Sequence, residues 1–182
     1  ADYYSEYNSI SWGDGSYLTK EDILNDPNYD SAKGGIRRNL VNGFPTHTYE
    51  KAGTYYIKGN FTTGGYGYLS GARECITRCL NLAYKEATGQ YLTSYNWEFN
   101  YCVNLTYVNL TSIKNNPLKN VSMLFSHCSS LTLDNIVGLD NLNLSNVTNM
   151  GSMFEYCSNI TQLPFTTIPD SVTNINNIFK GA

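Results

Sequence analysis

The chain writes one short phrase four times: Phe99-Asn-Tyr-Cys102, Phe125-Ser-His-Cys128, Phe154-Glu-Tyr-Cys157 and Phe179-Lys-Gly-Ala182, with a weaker copy, Ile76-Thr-Arg-Cys79, before them. The five anchors stand 23, 26, 29 and 25 residues apart. A period in this range marks stacked supersecondary units, none of which can bury its apolar side without a neighbour. With each anchor as zero, apolar residues recur at −7, −4, −1, 0, +3 and +6. The third copy gives Leu118, Val121, Leu124, Phe125, Cys128 and Leu131, and the fourth gives Val147, Met150, Met153, Phe154, Cys157 and Ile160. This spacing predicts one amphipathic helix per unit. Glu98, at −1 of the second copy, is the one polar residue in the stripe.

After each stripe the period changes. Leu105-Thr-Tyr-Val108-Asn-Leu110, Leu139-Asp-Asn-Leu142-Asn-Leu144 and Ile160-Thr-Gln-Leu163-Pro-Phe165 share an L-x-x-L-x-L spacing that predicts a short strand with its apolar positions inward. Residues 134–138 read as an insertion that lengthens one interval. The outward positions then include Tyr84 and Glu86, Tyr107 and Asn109, Asn141 and Asn143, and Gln162. Stacked, these would form a polar, partly aromatic ladder on a concave side, the surface that repeat proteins use for binding. The competing reading is a merely solvated face.

The slot three residues after the anchor takes Cys79, Cys102, Cys128, Cys157 and finally Ala182. A position that accepts either Cys or Ala asks for a small buried side chain. Five cysteines cannot all pair within one chain, and no Cys-x-x-Cys exists, so the reading is five reduced core thiols with no zinc. Cys75 and Cys79, four apart, are expected on one helical face.

A net charge of −3 gives no basic stripe for a nucleic acid, and no apolar stretch is long enough to insert into a membrane. The N-terminus lacks a signal-peptide pattern, so an exported protein would be represented here in mature form or as a piece. Sixteen Tyr among 182 residues is a high proportion. Tyr supplies stiff contact area with a polar tip, which suits binding surfaces, although most of these rings are expected to serve packing.

Residues 146–161, Asn-Val-Thr-Asn-Met-Gly-Ser-Met-Phe-Glu-Tyr-Cys-Ser-Asn-Ile-Thr, resemble the repeat unit of bacterial surface leucine-rich repeats of the BspA-like type. Residues 168–175, Ile-Pro-Asp-Ser-Val-Thr-Asn-Ile, are similar to a variant of the same unit. The first third is different material. Ile10-Ser-Trp12-Gly-Asp14-Gly15 and the run from His47 through Tyr49, Gly53 and Tyr55 to Ile57 resemble the W-G-D-G and H-x-Y motifs of polycystic-kidney-disease (PKD) type immunoglobulin-like domains. The two resemblances imply an α+β multidomain chain: a PKD-like β-sandwich over residues 1–63, then an α/β leucine-rich solenoid of about five units over residues 64–182. Residues 63–67 are the expected joint.

Candidate chemistry is thin. Asp26-Pro-Asn28-Tyr-Asp30 opens like a calcium loop, but Ser31 and Arg37 occupy the positions that need Gly and an acid, so an Asx/Pro turn is the better reading. His47 invites grouping with Asp14 and a nearby Ser as a triad, yet no nucleophile elbow or oxyanion pattern accompanies them, and a structural His is favoured. His127 is expected at the surface beside Tyr101 and Tyr156. The sequons at Asn104, Asn120, Asn146 and Asn159 follow from the repeat's composition. The expectation is a non-enzymatic chain without cofactor. It would be an adhesion or recognition module, extracellular or on a bacterial cell surface, that binds a protein or glycan through the concave face. The alternative is a receptor-binding or structural part of a phage tail or tail-like particle, and oligomeric state would discriminate.

Overall fold

The computed structural model describes residues 9–19, 40–41, 44–45, 47–59, 73–82, 84–85, 89–162 and 164–182. The chain divides into two compact units, Ala1–Thr62 and Thr63–Ala182. The calcium-like stretch at residues 26–30, the joint at 63–67, and the positions Glu86 and Leu163 lie outside the described residues.

In the first unit, β1 (Ser9–Ser11) pairs antiparallel with both β2 (Tyr17–Thr19) and β5 (Lys58–Gly59), and β3 (Leu40–Val41) pairs antiparallel with β4 (Phe44–Pro45). The β1–β2 turn needs Gly13: its φ is +87°, and a Cβ there would lie 2.8 Å from the backbone N and O of Tyr56. Glycine alone fits both demands.

The second unit corrects the expected helices. Its turn segments, called tiers here, occupy residues 95–102, 121–128, 150–157 and 175–182. In each, a residue two before the anchor has positive φ: Trp97 (67°), Met123 (54°), Ser152 (55°) and Asn177 (57°). Two after the anchor it recurs at Tyr101 (63°), His127 (62°), Tyr156 (56°) and Gly181 (70°). An α-helix requires an unbroken right-handed run, so left-handed residues at both places cut the stripe into consecutive tight turns.

The peptide groups show what the turns achieve. Alternate N–H groups bond locally, as Glu98 to Tyr95 O, Asn100 to Trp97 O and Cys102 to Phe99 O. The others cross to the next tier: Tyr95 to Asn120 O (2.9 Å), Trp97 to Ser122 O (3.0 Å), Phe99 to Leu124 O (2.9 Å) and Tyr101 to Ser126 O (2.8 Å). Val121, Met123, Phe125 and His127 repeat the pattern onto the third tier, and Met150, Ser152, Phe154 and Tyr156 onto the fourth. In the last tier the equivalent N–H groups of Ile175, Asn177, Phe179 and Gly181 meet no acceptor among the described residues.

The apolar stripe is buried by this ladder. Phe99, Phe125, Phe154 and Phe179 stack with centroids 5.8, 5.5 and 5.8 Å apart. Leu118, Val121, Leu124, Leu131, Val147, Met150 and Met153 are fully buried around them. The buried thiols join in, Cys128 Sγ donating to Phe99 O (3.0 Å) and Cys157 Sγ to Phe125 O (2.9 Å). Five residues before the anchor, Asn120, Asn149 and Asn174 accept the N–H two residues on at 3.0 Å, and parallel bridges link Ser94, Asn120, Asn149 and Asn174 in turn. These Asx turns start the second, third and fourth tiers.

A parallel three-stranded sheet, β6 (Arg78–Cys79), β7 (Tyr107–Asn109) and β8 (Ile136–Val137), flanks the tiers. Its register, Arg78↔Tyr107 and Val108↔Ile136, sets two expectations aside. The weak copy at 76–79 pairs with the strand after the second copy, not with the second phrase itself. The third strand comes from the 134–138 insertion, while Leu139–Asn141, expected as strand, is a 3₁₀ turn introduced by Gly138 at φ 82°.

The expected fold class is therefore overturned. Helix among the described residues is limited to the three-residue 3₁₀ turns Arg73–Cys75, Thr111–Ile113, Leu133–Asn135 and Leu139–Asn141, and the strands are two or three residues long. Neither an immunoglobulin-type sandwich nor a helix-and-strand α/β leucine-rich solenoid is present in them. All five cysteines are free, but only Cys102, Cys128 and Cys157 are core residues; Cys75 is exposed, and Cys75 and Cys79 sit on different elements instead of one helix. Among the described residues no helix is long and apolar enough to cross a membrane.

Candidate functional site

Three groups of side chains invite a functional reading. The first is in the N-terminal unit, where the β1–β2 turn carries Asp14 and Ser16 to His47. Asp14 Oδ1 accepts the Ser16 N–H at 3.0 Å and the Ser16 hydroxyl, while Oδ2 lies 2.7 Å from His47 Nε2. Ser16 Oγ is 3.4 Å from that same Nε2. A nucleophilic relay needs the acid on one imidazole nitrogen and the hydroxyl on the other. Here one nitrogen faces both, and the hydroxyl is already committed to the carboxylate. The bonds from Ser16, then that from His47, hold the Asp14 carboxyl well below the usual range. Trp12 stacks on His47 at 5.1 Å, Tyr49 meets His47 edge-on at 4.6 Å, and Tyr49 stacks on Tyr55 at 4.0 Å. The Tyr49 hydroxyl donates to Trp12 O at 2.8 Å. The cluster clasps two stretches of chain together.

The second group is a ladder on the tiers. Tyr101 stacks on His127 at 4.0 Å, and His127 meets Tyr156 at 4.7 Å with the rings tilted by 38°. Lys180 Nζ sits 5.5 Å from the Tyr156 ring and 3.3 Å from Glu155 Oε1. Tyr101 and Tyr156 are 51% and 42% exposed, each with His127 against its ring.

The third group holds several of the positions expected to bind. Tyr84 and Tyr91, both 45% exposed, approach to 6.4 Å across the Lys85–Tyr91 antiparallel bridge, and Lys85 Nζ lies 5.8 and 5.0 Å from the two rings. Buried Asn116 holds this hairpin by donating to the carbonyls of Tyr84 and Leu92, both at 2.8 Å. On the sheet face, the Arg78 guanidinium stands 4.4 Å over the Tyr107 ring. Cations over aromatic rings are worth about 0.5–1 kcal/mol at exposed sites and leave both groups able to meet a ligand.

The remaining expected positions are otherwise engaged. Asn109 Oδ1 accepts the Thr111 N–H and hydroxyl, and Asn143 Oδ1 those of Ser145, so both amides are turn-formers. Asn141 lies on a 3₁₀ turn, beside an open depression of about 410 Å³ lined also by Thr111, Lys114 and Asn115. Gln162 is exposed and belongs to no strand. Sequence reasoning missed Arg78, Lys85 and Tyr91; the basic residues beside Tyr84 and in the weak copy were the available signal. Asn104 and Asn120, two of the sequons, bond to Glu74 O and to Ser122, which ties their amides into the fold.

Among the described residues no cluster of three or more His, Cys, Asp or Glu side chains could hold a metal ion. No protein-family model, curated protein or solved structure matches this chain.

Proposed function

We propose that the chain is a recognition module of a bacterial surface or secreted protein, binding an extracellular protein or glycan through the aromatic and cationic side chains Arg78, Tyr84, Lys85, Tyr91 and Tyr107. The observation that carries this reading is the pairing of rings with cations at two places, the half-buried Tyr107 with Arg78 and the exposed Tyr84 and Tyr91 with Lys85. The exposed Tyr84 and Tyr91 rings beside the Lys85–Tyr91 bridge offer contact area with little side-chain entropy to lose, and the cations add hydrogen-bond donors for hydroxyl or carboxylate groups. The relay-incompatible Asp14 cluster adds to the case for binding over catalysis. The BspA-like phrase at 146–161 supports the bacterial surface setting.

The test is a screen of the purified chain on glycan and extracellular-protein arrays, with a Tyr84→Ala, Tyr91→Ala, Tyr107→Ala variant beside it. Binding lost in the variant, with an unchanged thermal transition, supports the face. Binding that survives the triple change removes the face from the proposal, and no binding on any array removes the recognition reading.

A further inference from the structure

One position before the anchors, the four tiers carry Glu98, Leu124, Met153 and Ile178. Glu98 sits where its counterparts are apolar, and it is only 4% exposed. Among the described residues it forms no ion pair. Its titratable and charged neighbours are Arg73 from the Arg73–Cys75 turn, Cys79 from β6, and Tyr95 and Cys102 from its own tier. The Arg73 guanidinium is spent elsewhere, donating to Asn100 O. Beside it, Asn100 Oδ1 is buried without a partner. Burial pushes the Glu98 carboxyl up to about 8, with Arg73 opposing.

The two sides of this tier are not held equally. Towards the second tier, four backbone hydrogen bonds and the Phe99–Phe125 stack close the contact. Towards residues 73–82 there is no ring stack among the described residues, and closure rests on two paired positions of β6 with β7, the Thr106 N–H on Thr77 O, and exposed or part-buried side-chain bonds from Arg73, Asn104, Thr106 and Ser112, which water can replace. Two of the groups that face Glu98, Arg73 and Cys79, are on that weaker side.

We propose that Glu98 is a proton-operated latch: the protonated carboxyl keeps residues 73–82 closed on the first tier, and its ionisation opens that joint to water. A buried carboxylate with no ion pair, its one nearby cation bonded to Asn100 O, carries a large desolvation cost, which hydration through the weaker joint relieves. The folded joint keeps a proton that the open form, with an ordinary value near 4.5, releases. Closure is therefore strongest below about 4.5 and weakens as pH rises towards 8, the range set by the two values. Acidification tightens the joint.

Amide hydrogen exchange of the whole chain tests this. Thr106 reports the joint, and Phe125, bonded to Met153 O, reports the stack behind it. Corrected for intrinsic rate, Thr106 protection is expected to fall about tenfold per pH unit between pH 5 and 8, one proton being released on opening. It should respond little to urea, whereas Phe125 should show the urea sensitivity of whole-unit unfolding. Glu98→Gln should flatten the pH profile of Thr106. A flat wild-type profile, an equally steep profile in the variant, or a Thr106 urea response equal to that of Phe125 would each overturn the latch. If Glu98→Gln lowers protection at every pH, Glu98→Met, which copies the residue at 153, decides: a flat profile supports the latch and a sloped one overturns it.

Discussion

Left-handed backbone is supplied differently in the β1–β2 turn of the first unit and in the tiers of the second, where Gly181 is the one glycine among eight such positions. In the first, Gly13 and Gly15 supply it at φ 87° and 92°. In the second, seven side-chain-bearing residues, from Trp97 to Asn177, adopt it. Such a residue costs roughly 1–2 kcal/mol where glycine would cost little. The first unit thus solves the problem by residue choice. The second solves it by over-determination: Trp97, Met123, Ser152, Tyr101, His127 and Tyr156 each donate their N–H to the next tier. A hydrogen bond worth about 1 kcal/mol net, added to a buried stripe, holds a conformation that none of these residues would choose alone.

That contrast can be broken at its strongest point first. Phe154→Ala removes the ring that contacts Phe125, Phe165 and Phe179, and should cost about 3–5 kcal/mol in chemical denaturation of the second unit. A cost below about 1 kcal/mol would mean that the stack does not hold the strained turns. Next is Gly13→Ala, where positive φ and a 2.8 Å backbone approach combine; the expected loss is about 2 kcal/mol or more. Trp12 fluorescence in a Trp97→Phe background follows it, and an unchanged melt would show the turn to be adaptable. Asp14→Asn should have a smaller effect, visible mainly in acid. Because the folded carboxyl is held below its ordinary value near 3.8, its contribution is present above that pH and fades as pH falls below it. Acid titration by the same Trp12 signal should therefore be less steep in the variant; identical titrations would exclude the Asp14–His47 clasp. The smallest expected change has the opposite sign. Ser152→Gly should stabilise the second unit by up to about 1 kcal/mol by relieving its φ of 55°. A loss instead would show that residue choice matters in the tiers after all.

Legibility follows the same divide. The 3- and 4-residue spacing of Leu118, Val121, Leu124, Phe125 and Cys128 marks residues that are buried, but a series of tight turns with a left-handed residue at Met123 and His127 buries the same positions as a helix would. Neither Met nor His advertises a left-handed backbone. The Asn residues at −5 carry a local signal, since Asn two residues before Ser, Gly or Asn is Asx-turn chemistry; of the three only Asn120 enters the sequence reading, as a sequon that follows from composition. The Leu105–Leu110 spacing coincides with β7, while the same spacing at 139–144 does not become strand, because Gly138 turns the chain first. For the proposed binding face, Tyr84 and Tyr107 are positions that the spacing places outward, where Tyr84 is exposed and Tyr107 half-buried, whereas Arg78 and Lys85 depend on pairings that only the register of β6 with β7 and the Lys85–Tyr91 bridge reveal.

The N–H groups of Ile175, Asn177, Phe179 and Gly181 give the stack a chemical direction. Each tier donates forwards and accepts from behind, so the fourth tier's donors meet no matching carbonyls among the described residues. Two such faces brought together would set donor against donor. Any segment that docks there, of this chain or of another, must therefore arrive with acceptors in a row.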